Sequence, residues 1–408
     1  MAKTVMILGA GVLQIPLIER ALERGFQTVV VSPVPSEPGH AIATHSEICD
    51  VVDEAGVLEL ARKYNIDGII TDQTDLPVRT VSYVANKLGL PGIDYDVACL
   101  FTDKYLMRER CRELGIRTLR YSLCHSLDEV VAFYESIGGD IILKPVDNQG
   151  SKGVYRISSK RDIHDKFGDA FGYSRSGRVL AEEFVTGREF LVEGICFDYE
   201  YRNLCCGDTL YFDIPDVFSA CRREFPSVAP RALARKVLET NAAIVKGFGL
   251  KQGITHGEYI IDGDDVILIE IAARGGGVFI SSDLIALQTG MRTEDYLLDI
   301  ALGTAKGFPD IARQGRSCCY VSFFLPEGEI TALEGVERVQ SLPYTYHNNL
   351  DSLWVGKSIQ QARDKTGRFF IIVAASDHGQ LMERIKRIRQ MLRVYMNGDG
   401  QRNAIIWG

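Results

Sequence analysis

Short apolar runs alternate with helical spacing through the first hundred residues. Thr4 to Leu8, Thr28 to Val31 and Gly68 to Thr71 read as strands, with helices predicted from about Leu13 to Arg24 and near Val57 to Tyr64. This rhythm predicts an α/β unit on a parallel sheet. A helix capped by Thr102 is predicted to run through Leu114 to Gly115, with Lys104 in its first turn. Ile141 to Lys144 and Val154 to Ile157 read as strands joined by a glycine loop. Arg178 to Val185 and Glu189 to Cys196 read as strands around the turn Thr186-Gly187. Phe197 to Arg223 reads as loop. Helices follow from about Ala229 to Gly247 and from Arg292 to Leu302. The last hundred residues predict a small α+β domain, with strands near Cys319 to Phe324 and Phe369 to Ala375 and a helix from Asp377 to about Met396. Leu381, Ile385, Ile388 and Leu392 form one stripe on that helix, and the arginines and lysines around it read as a solvated face.

The richest stretch is THGEYIIDGDDVILIEIAARGGGVFISS, Thr255 to Ser282. Two β-rich segments flank the polar turn Asp262 to Asp265, a hairpin signal. A turn centred near Asp264 sets Glu258 opposite Glu270, with Cβ atoms roughly 4.5–5.5 Å apart on one face. Facing carboxylates repel unless one is protonated or a cation lies between them, and hard divalent ions prefer oxygen ligands of this kind. His256 and Arg274 continue that face beside Gly275 to Gly277. The plain alternative is an exposed hairpin with solvated charges, since a slip of one residue turns Glu270 to the other face.

With 408 residues, 46% hydrophobic and 25% charged, the chain is sized for two to four domains at roughly 100–200 residues each. Its net charge of −8 carries no footprint for nucleic acid. The ten cysteines lack CxxC spacing, so neither a zinc site nor a disulfide framework is expected. No apolar run reaches the roughly 18 residues of a membrane span. The start MAKTVMILGAGVLQ lacks the pattern of a signal peptide, which predicts a cytoplasmic protein.

Two glycine motifs suggest anion sites. Gly9-Ala10-Gly11 opens a G-x-G turn, but Gln14 stands at the third glycine position and no acid follows Val31, which disfavours nicotinamide binding. Close helix–strand packing or an anion site at the helix start is expected there instead. The loop Gln149 to Gly153 exposes backbone N–H groups through Gly150, Ser151 and Gly153, with Lys144 at the preceding strand end. It is either a phosphate lid or a flexible hairpin tip, and not a Walker A loop, since no helix follows.

These pieces fall in a known order: an α/β domain, a lysine on a helix, a lysine before a glycine loop, EEFV, then two glutamates twelve positions apart and an arginine four further on. In that order the chain resembles the ATP-grasp superfamily of ligases. The resemblance implies an α/β and α+β protein: a Rossmann-like pre-ATP-grasp domain over 1–98, an ATP-grasp domain over 99–308 with a mobile lid at about 118–184, and a biotin carboxylase-like domain over 309–408. It implies that Lys104 and Lys144 contact ATP phosphates under the Gly150–Ser151–Gly153 lid, and that Glu183 and Val185 hold the adenine edge. Glu182 would take the amino group and Glu189 the ribose, with His256 also at the nucleotide. Glu258 and Glu270 would bind magnesium or manganese. Arg274 would face the transferred phosphoryl group and the acceptor carboxylate, and Arg222 or Arg223 would aid the acceptor. The family's E-x-N-x-R reads here with Ala272 in the middle, which puts a second metal ion in question.

The activity implied is phosphorylation of a small carboxylate, such as an amino acid, to an acyl phosphate that an amine then attacks. The resemblance further suggests a homodimer; the net charge and the lack of a long apolar run predict no nucleic-acid or membrane partner. A bicarbonate-activating carboxylase is the alternative within the superfamily, and a non-catalytic nucleotide sensor the alternative from another class. Substrate choice is expected from Gln73 and Asp75 in ITDQTD and from Phe197 to Arg223.

Overall fold

Thr4–Leu8 lies inside a parallel sheet ordered His45–Ile48, Gln27–Ser32, Thr4–Leu8, Gly68–Ile70. All five residues of this strand are buried, which is why TVMIL shows no polar alternation. Val5 and Ile7 pack with Leu17, Ile18 and Ala21 of the helix Ile15–Glu23. Met6 and Leu8 face the helices Glu54–Tyr64 and Val78–Leu88 on the other side. The chain is seen here in a computed structural model that describes residues 2–214, 217–312, 314–360, 367–397 and 402–408.

A second, antiparallel sheet is ordered Tyr121–Cys124, Val179–Glu183, Ile141–Pro145, Tyr155–Ile157, with its own core against the helices Leu127–Ile137 and Lys160–Gly172. It coincides with the stretch expected to be a lid. Ser126 and Ser159 cap its helices by accepting the N–H groups of Glu129 and Asp162.

The largest sheet places Asp265–Ala272 at one edge. Gly253–Asp262, Glu189–Phe197, Glu200–Tyr211, Ala220–Phe225, Ser317–Phe324, Phe369–Ala375 and Thr345–Asn348 follow in order. This sheet runs unbroken past residue 309, because Ala220–Phe225 pairs with Ser317–Phe324. The last hundred residues therefore extend the central sheet while keeping a separate core under the helix His378–Met391.

Three expectations are corrected. Phe197 to Arg223 is not loop but contains two strands at the middle of the large sheet; Asn203 and Gly207 interrupt its apolar pattern, and a bulge falls at Asn203/Cys205. Asp103, rather than Thr102, caps the helix Lys104–Glu113, accepting the N–H groups of Tyr105 and Leu106. The Thr102 hydroxyl is committed to the Ala98 carbonyl and to Arg79. The final helix stops at Met391, and Arg393–Met396 becomes a strand against Gly328–Glu334, as the β-forming Val394 and Tyr395 favour. The four stripe residues Leu381, Ile385, Ile388 and Leu392 are all buried.

Candidate active site

Glu258 pairs directly with Glu270, by a different route from the one the turn suggested. Near the turn, Ile261 opposes Val266 and Tyr259 opposes Leu268, one residue away from the expected register. A bulge at Glu258/Tyr259 leaves Ile269 as the extra residue and restores the facing pair. The Ile269 carbonyl accepts from Arg108 Nη2 at 2.6 Å. Arg108 is fully buried on the helix Lys104–Glu113, so the bulge is anchored from a neighbouring element.

Cations relieve the facing acids. Glu270 pairs with Lys104 Nζ at 2.8 Å, which also donates to the Asn148 carbonyl at 2.7 Å. Glu258 accepts from Arg223 Nη2 at 2.7 Å and lies 3.2 Å from His256 Nε2. The other His256 nitrogen contacts Glu193, a fully buried acid that also accepts the Gly276 N–H at 3.2 Å. Burial opposes charge on the His256 ring, but Glu193 and Glu258 outweigh it and raise its pKa. His256 stands opposite Ala272 in the ladder.

Lys144 and Arg108 converge on Glu182, whose Oε1 lies 2.5 Å from Arg108 Nε while Oε2 meets the Lys144 ammonium. Burial would raise the Glu182 pKa, yet the two cations hold it down to about 2. Burial pulls Lys144 downward against the attraction of Glu182. Expected at phosphate and adenine, these two side chains meet each other in the structure. The Glu183 carboxylate turns to Arg120, accepting from its backbone N–H at 3.0 Å and its Nε at 2.6 Å. Glu189 accepts from the Tyr211 hydroxyl at 2.6 Å. Burial lifts the Glu189 pKa to about 7, with Glu258 adding to the shift and Tyr211 opposing it.

Two cavities meet at the glutamate pair. One, of about 410 Å³, is lined by Lys104, Lys144, Glu182 to Val185, Glu189 and the glycine loop. The other, of about 630 Å³, is lined by Gln73, Asp75, Arg223, His256, Arg274 and an aromatic wall of Phe279, Tyr320 and Phe370. Glu258, Glu270, Tyr211 and Gln149 to Lys152 border both. In the glycine loop Gly150, Ser151 and Gly153 have φ of +74°, +62° and +72°, and the Ser151 hydroxyl donates to the Phe218 carbonyl at 3.2 Å.

Gly275 and Gly276 are small because buried side chains approach them closely, Ser281 and Asp72 at the first and Glu193, Ile280 and His256 at the second. A Cβ on Gly275 would collide first with Ser281 Oγ and lie 2.7 Å from Asp72 Oδ1, and one on Gly276 would lie 2.7 Å from Glu193 Oε1. At the first turn of the chain a Cβ on Gly11 would lie 3.4 Å from Glu37 Oε1. That anion-site candidate therefore already faces a carboxylate.

Most of the residues singled out in the sequence line two adjoining cavities; Gly153 lines neither, and Arg222 turns away to Glu224 and Met382, leaving Arg223 at the site. Arg108, Glu193, Tyr211 and Asp72 were missed. An acid at 193 within the apolar strand Glu189–Phe197 was the readable sign for one of them; Arg108 and Tyr211 lie in segments whose patterns carry no such mark.

Residues 137–283 match the ATP-grasp domain family. The chain carries an ATP-grasp domain. Among curated relatives, it is 26% identical over 252 residues to the alanine–anticapsin ligase of Bacillus subtilis (strain 168), covering 56% of this chain and 52% of that protein. The chain therefore spans about half the length of that relative. It is also 26% identical over 282 residues to the formate-dependent phosphoribosylglycinamide formyltransferase of Rhodococcus jostii (strain RHA1), covering 67% and 69% of the two. The solved L-amino acid ligase from Bacillus licheniformis shares its fold, with a TM-score of 0.80 at 19% identity over 97% of this chain and 99% of that one. Among the described residues no helix is long and apolar enough to cross a membrane.

Proposed function

We propose that the chain is an ATP-dependent carboxylate–amine ligase that phosphorylates a small carboxylate, an amino acid or similar metabolite, and joins it to an amine with release of ADP and phosphate. The observation that carries this reading is the Glu258–Glu270 pair at the junction of a nucleotide-sized cavity and a second, larger one. Both acids carry hard oxygen donors, and among the described residues no group of three or more His, Cys, Asp or Glu is placed to hold a metal ion, so they act as a pair. That donor set suits magnesium or manganese, which keeps several ligands from water and phosphate oxygens. Glu258 and Glu270 would hold such an ion, and when bound it neutralises charge on the phosphates.

The chain's own residues do the rest. In the smaller cavity, the Arg120 N–H donates to the Glu183 side chain, which leaves the Glu183 carbonyl available to an adenine amino group beside the Val185 N–H. Glu189, once ionised, accepts from ribose hydroxyls. Lys104 and Lys144 supply positive charge at the phosphates below Gly150, Ser151 and Gly153. Arg223 and His256 flank the transfer path, and Arg274 faces it from the acceptor side. A carboxylate oxygen of the substrate bonds to the γ-phosphorus as the bond to ADP breaks. The amine nitrogen then attacks the acyl carbon, phosphate leaves and the amine loses a proton. Positioning and charge neutralisation account for such catalysis, because each new bond is formed between substrates. We place the enzyme in the cytoplasm as a homodimer, with small-molecule partners.

The test is ADP release with ATP and magnesium against pools of carboxylates and amines, beside Glu270→Ala. Release that needs both substrates and falls at least about a hundredfold in the variant is expected, the scale of a lost electrostatic contact in a transition state. Release with bicarbonate alone would assign a carboxylase, and ATP binding without release under any pool would assign a sensor.

A further inference from the structure

One loop of the N-terminal domain, Thr71 to Asp75, holds the loop that follows the acidic hairpin at three points. Asp72 Oδ1 accepts the Gly275 N–H at 2.9 Å, and Gln73 Oε1 accepts the Phe279 N–H at 2.9 Å. Asp75 grips Arg274 side-on, with Oδ1 2.8 Å from Nε and Oδ2 2.7 Å from Nη2. Arg274 Nη1 donates to the Gly275 carbonyl at 2.9 Å. A guanidinium has five N–H donors. Three are used in these contacts, and the two remaining hydrogens lie on Nη1 and Nη2, forming an end-on fork on a residue that lines the larger cavity. The backbone N–H of Asp75 donates to Gln149 Oε1 at 2.7 Å, and Gln149 Nε2 donates to the Thr74 hydroxyl at 2.9 Å. The glycine loop is thus tied to the same residue that aims the arginine.

We propose that Asp75 is a positioning residue that couples closure of the glycine loop to the orientation of Arg274. With the loop seated on Thr74 and Asp75, the carboxylate of Asp75 presents the Arg274 fork to the acceptor; with the loop lifted, that hold loosens. The device confines phosphoryl transfer to the closed state and protects the acyl phosphate from water. It is built on the ligase reading above, and it assigns to Asp75 and Gln149 a role that substrate contact alone does not require.

The experiment compares the wild type with Asp75→Asn and Gln149→Ala, measuring ADP and ligated product together, ATP affinity by calorimetry and melting temperature. The ligase reading fails, separately, if the wild type yields no coupled product. For a coupling wild type, both variants are expected to bind ATP within about twofold of it, to lose about tenfold or more in kcat, and to release more ADP per product. The double variant is expected to be no worse than the poorer single one, as residues acting as a unit are not additive. Additive losses would overturn the proposal. So would an Asp75→Asn variant whose only defect is a raised KM for the amine with coupling intact, which would make Asp75 a substrate ligand. If Asp75→Asn melts early, Gln149→Ala alone decides the question, since its loop is partly exposed and a merely structural role would leave the ADP-to-product ratio unchanged.

Discussion

Arg108 shows how much of this site rests on one buried charge. It neutralises Glu182, whose other partner is Lys144, and it holds the carbonyl of the bulged Ile269 that brings Glu258 opposite Glu270. Replacing it with alanine leaves a buried carboxylate with one cation and frees the bulge. Breaking a buried pair costs about 3–5 kcal/mol, so Arg108→Ala should show that loss in chemical denaturation together with loss of ATP turnover. Glu189 offers a pH signature. Its pKa, lifted to about 7 by burial, means that it gains charge as pH rises through neutrality. A carboxyl raised in this way binds its proton more tightly folded than unfolded. Its contribution to stability is therefore fully present below the ordinary carboxylate range and declines as pH rises toward about 7. Nucleotide binding should change in the opposite sense, because a carboxylate accepts ribose hydroxyls better than a carboxylic acid. MgATP affinity measured from pH 6 to 8 should rise in the wild type and rise less in Glu189→Gln, which carries no titrating group at that position; parallel curves would remove Glu189 from the ribose.

At the scale of elements, the hairpin and its glycine loop illustrate what spacing conveys and what it omits. The loop bends closely over Asp72, Glu193 and His256, so Gly276→Ala should press on both Glu193 and His256 and disturb their contact. We expect at least about a tenfold loss of activity with the fold intact by circular dichroism, on the scale that small displacements cost in positioned sites; an unaffected variant would show that the close approach is immaterial. Strands with clean apolar runs, such as Thr4–Leu8 and Phe369–Ala375, were legible to the residue. The facing glutamates were legible too, although the turn centre alone misplaces the first half of the ladder and only the Ile269 bulge corrects it. Glu200–Tyr211 was not legible, because its polar and glycine positions break the strand pattern while its neighbours Glu189–Phe197 and Ala220–Phe225 complete its hydrogen bonds. The helix Val78–Leu88 went unread although Val78, Val81, Val84 and Ala85 are all buried along it. Contacts distant in sequence, such as Arg108 with Ile269 or Asp75 with Arg274, leave no trace in local spacing.

For the molecule as a whole, three bodies of structure converge on one junction. The parallel N-terminal sheet sends Thr71 to Asp75, the small antiparallel sheet sends Lys144 and the glycine loop, and the large sheet supplies the acidic hairpin and Arg223. Phe370 and Tyr320, which belong to the extension of the large sheet beyond residue 309, wall the larger cavity. In the proposed reaction a carboxylate oxygen attacks the γ-phosphorus at that junction. The most direct measurement uses a carboxylate substrate labelled with ¹⁸O, ATP and the amine, followed by mass analysis of the phosphate released. One labelled oxygen is expected in each phosphate formed with product. Phosphate whose fourth oxygen comes from solvent, with the label retained in the carboxylate, would rule that attack out.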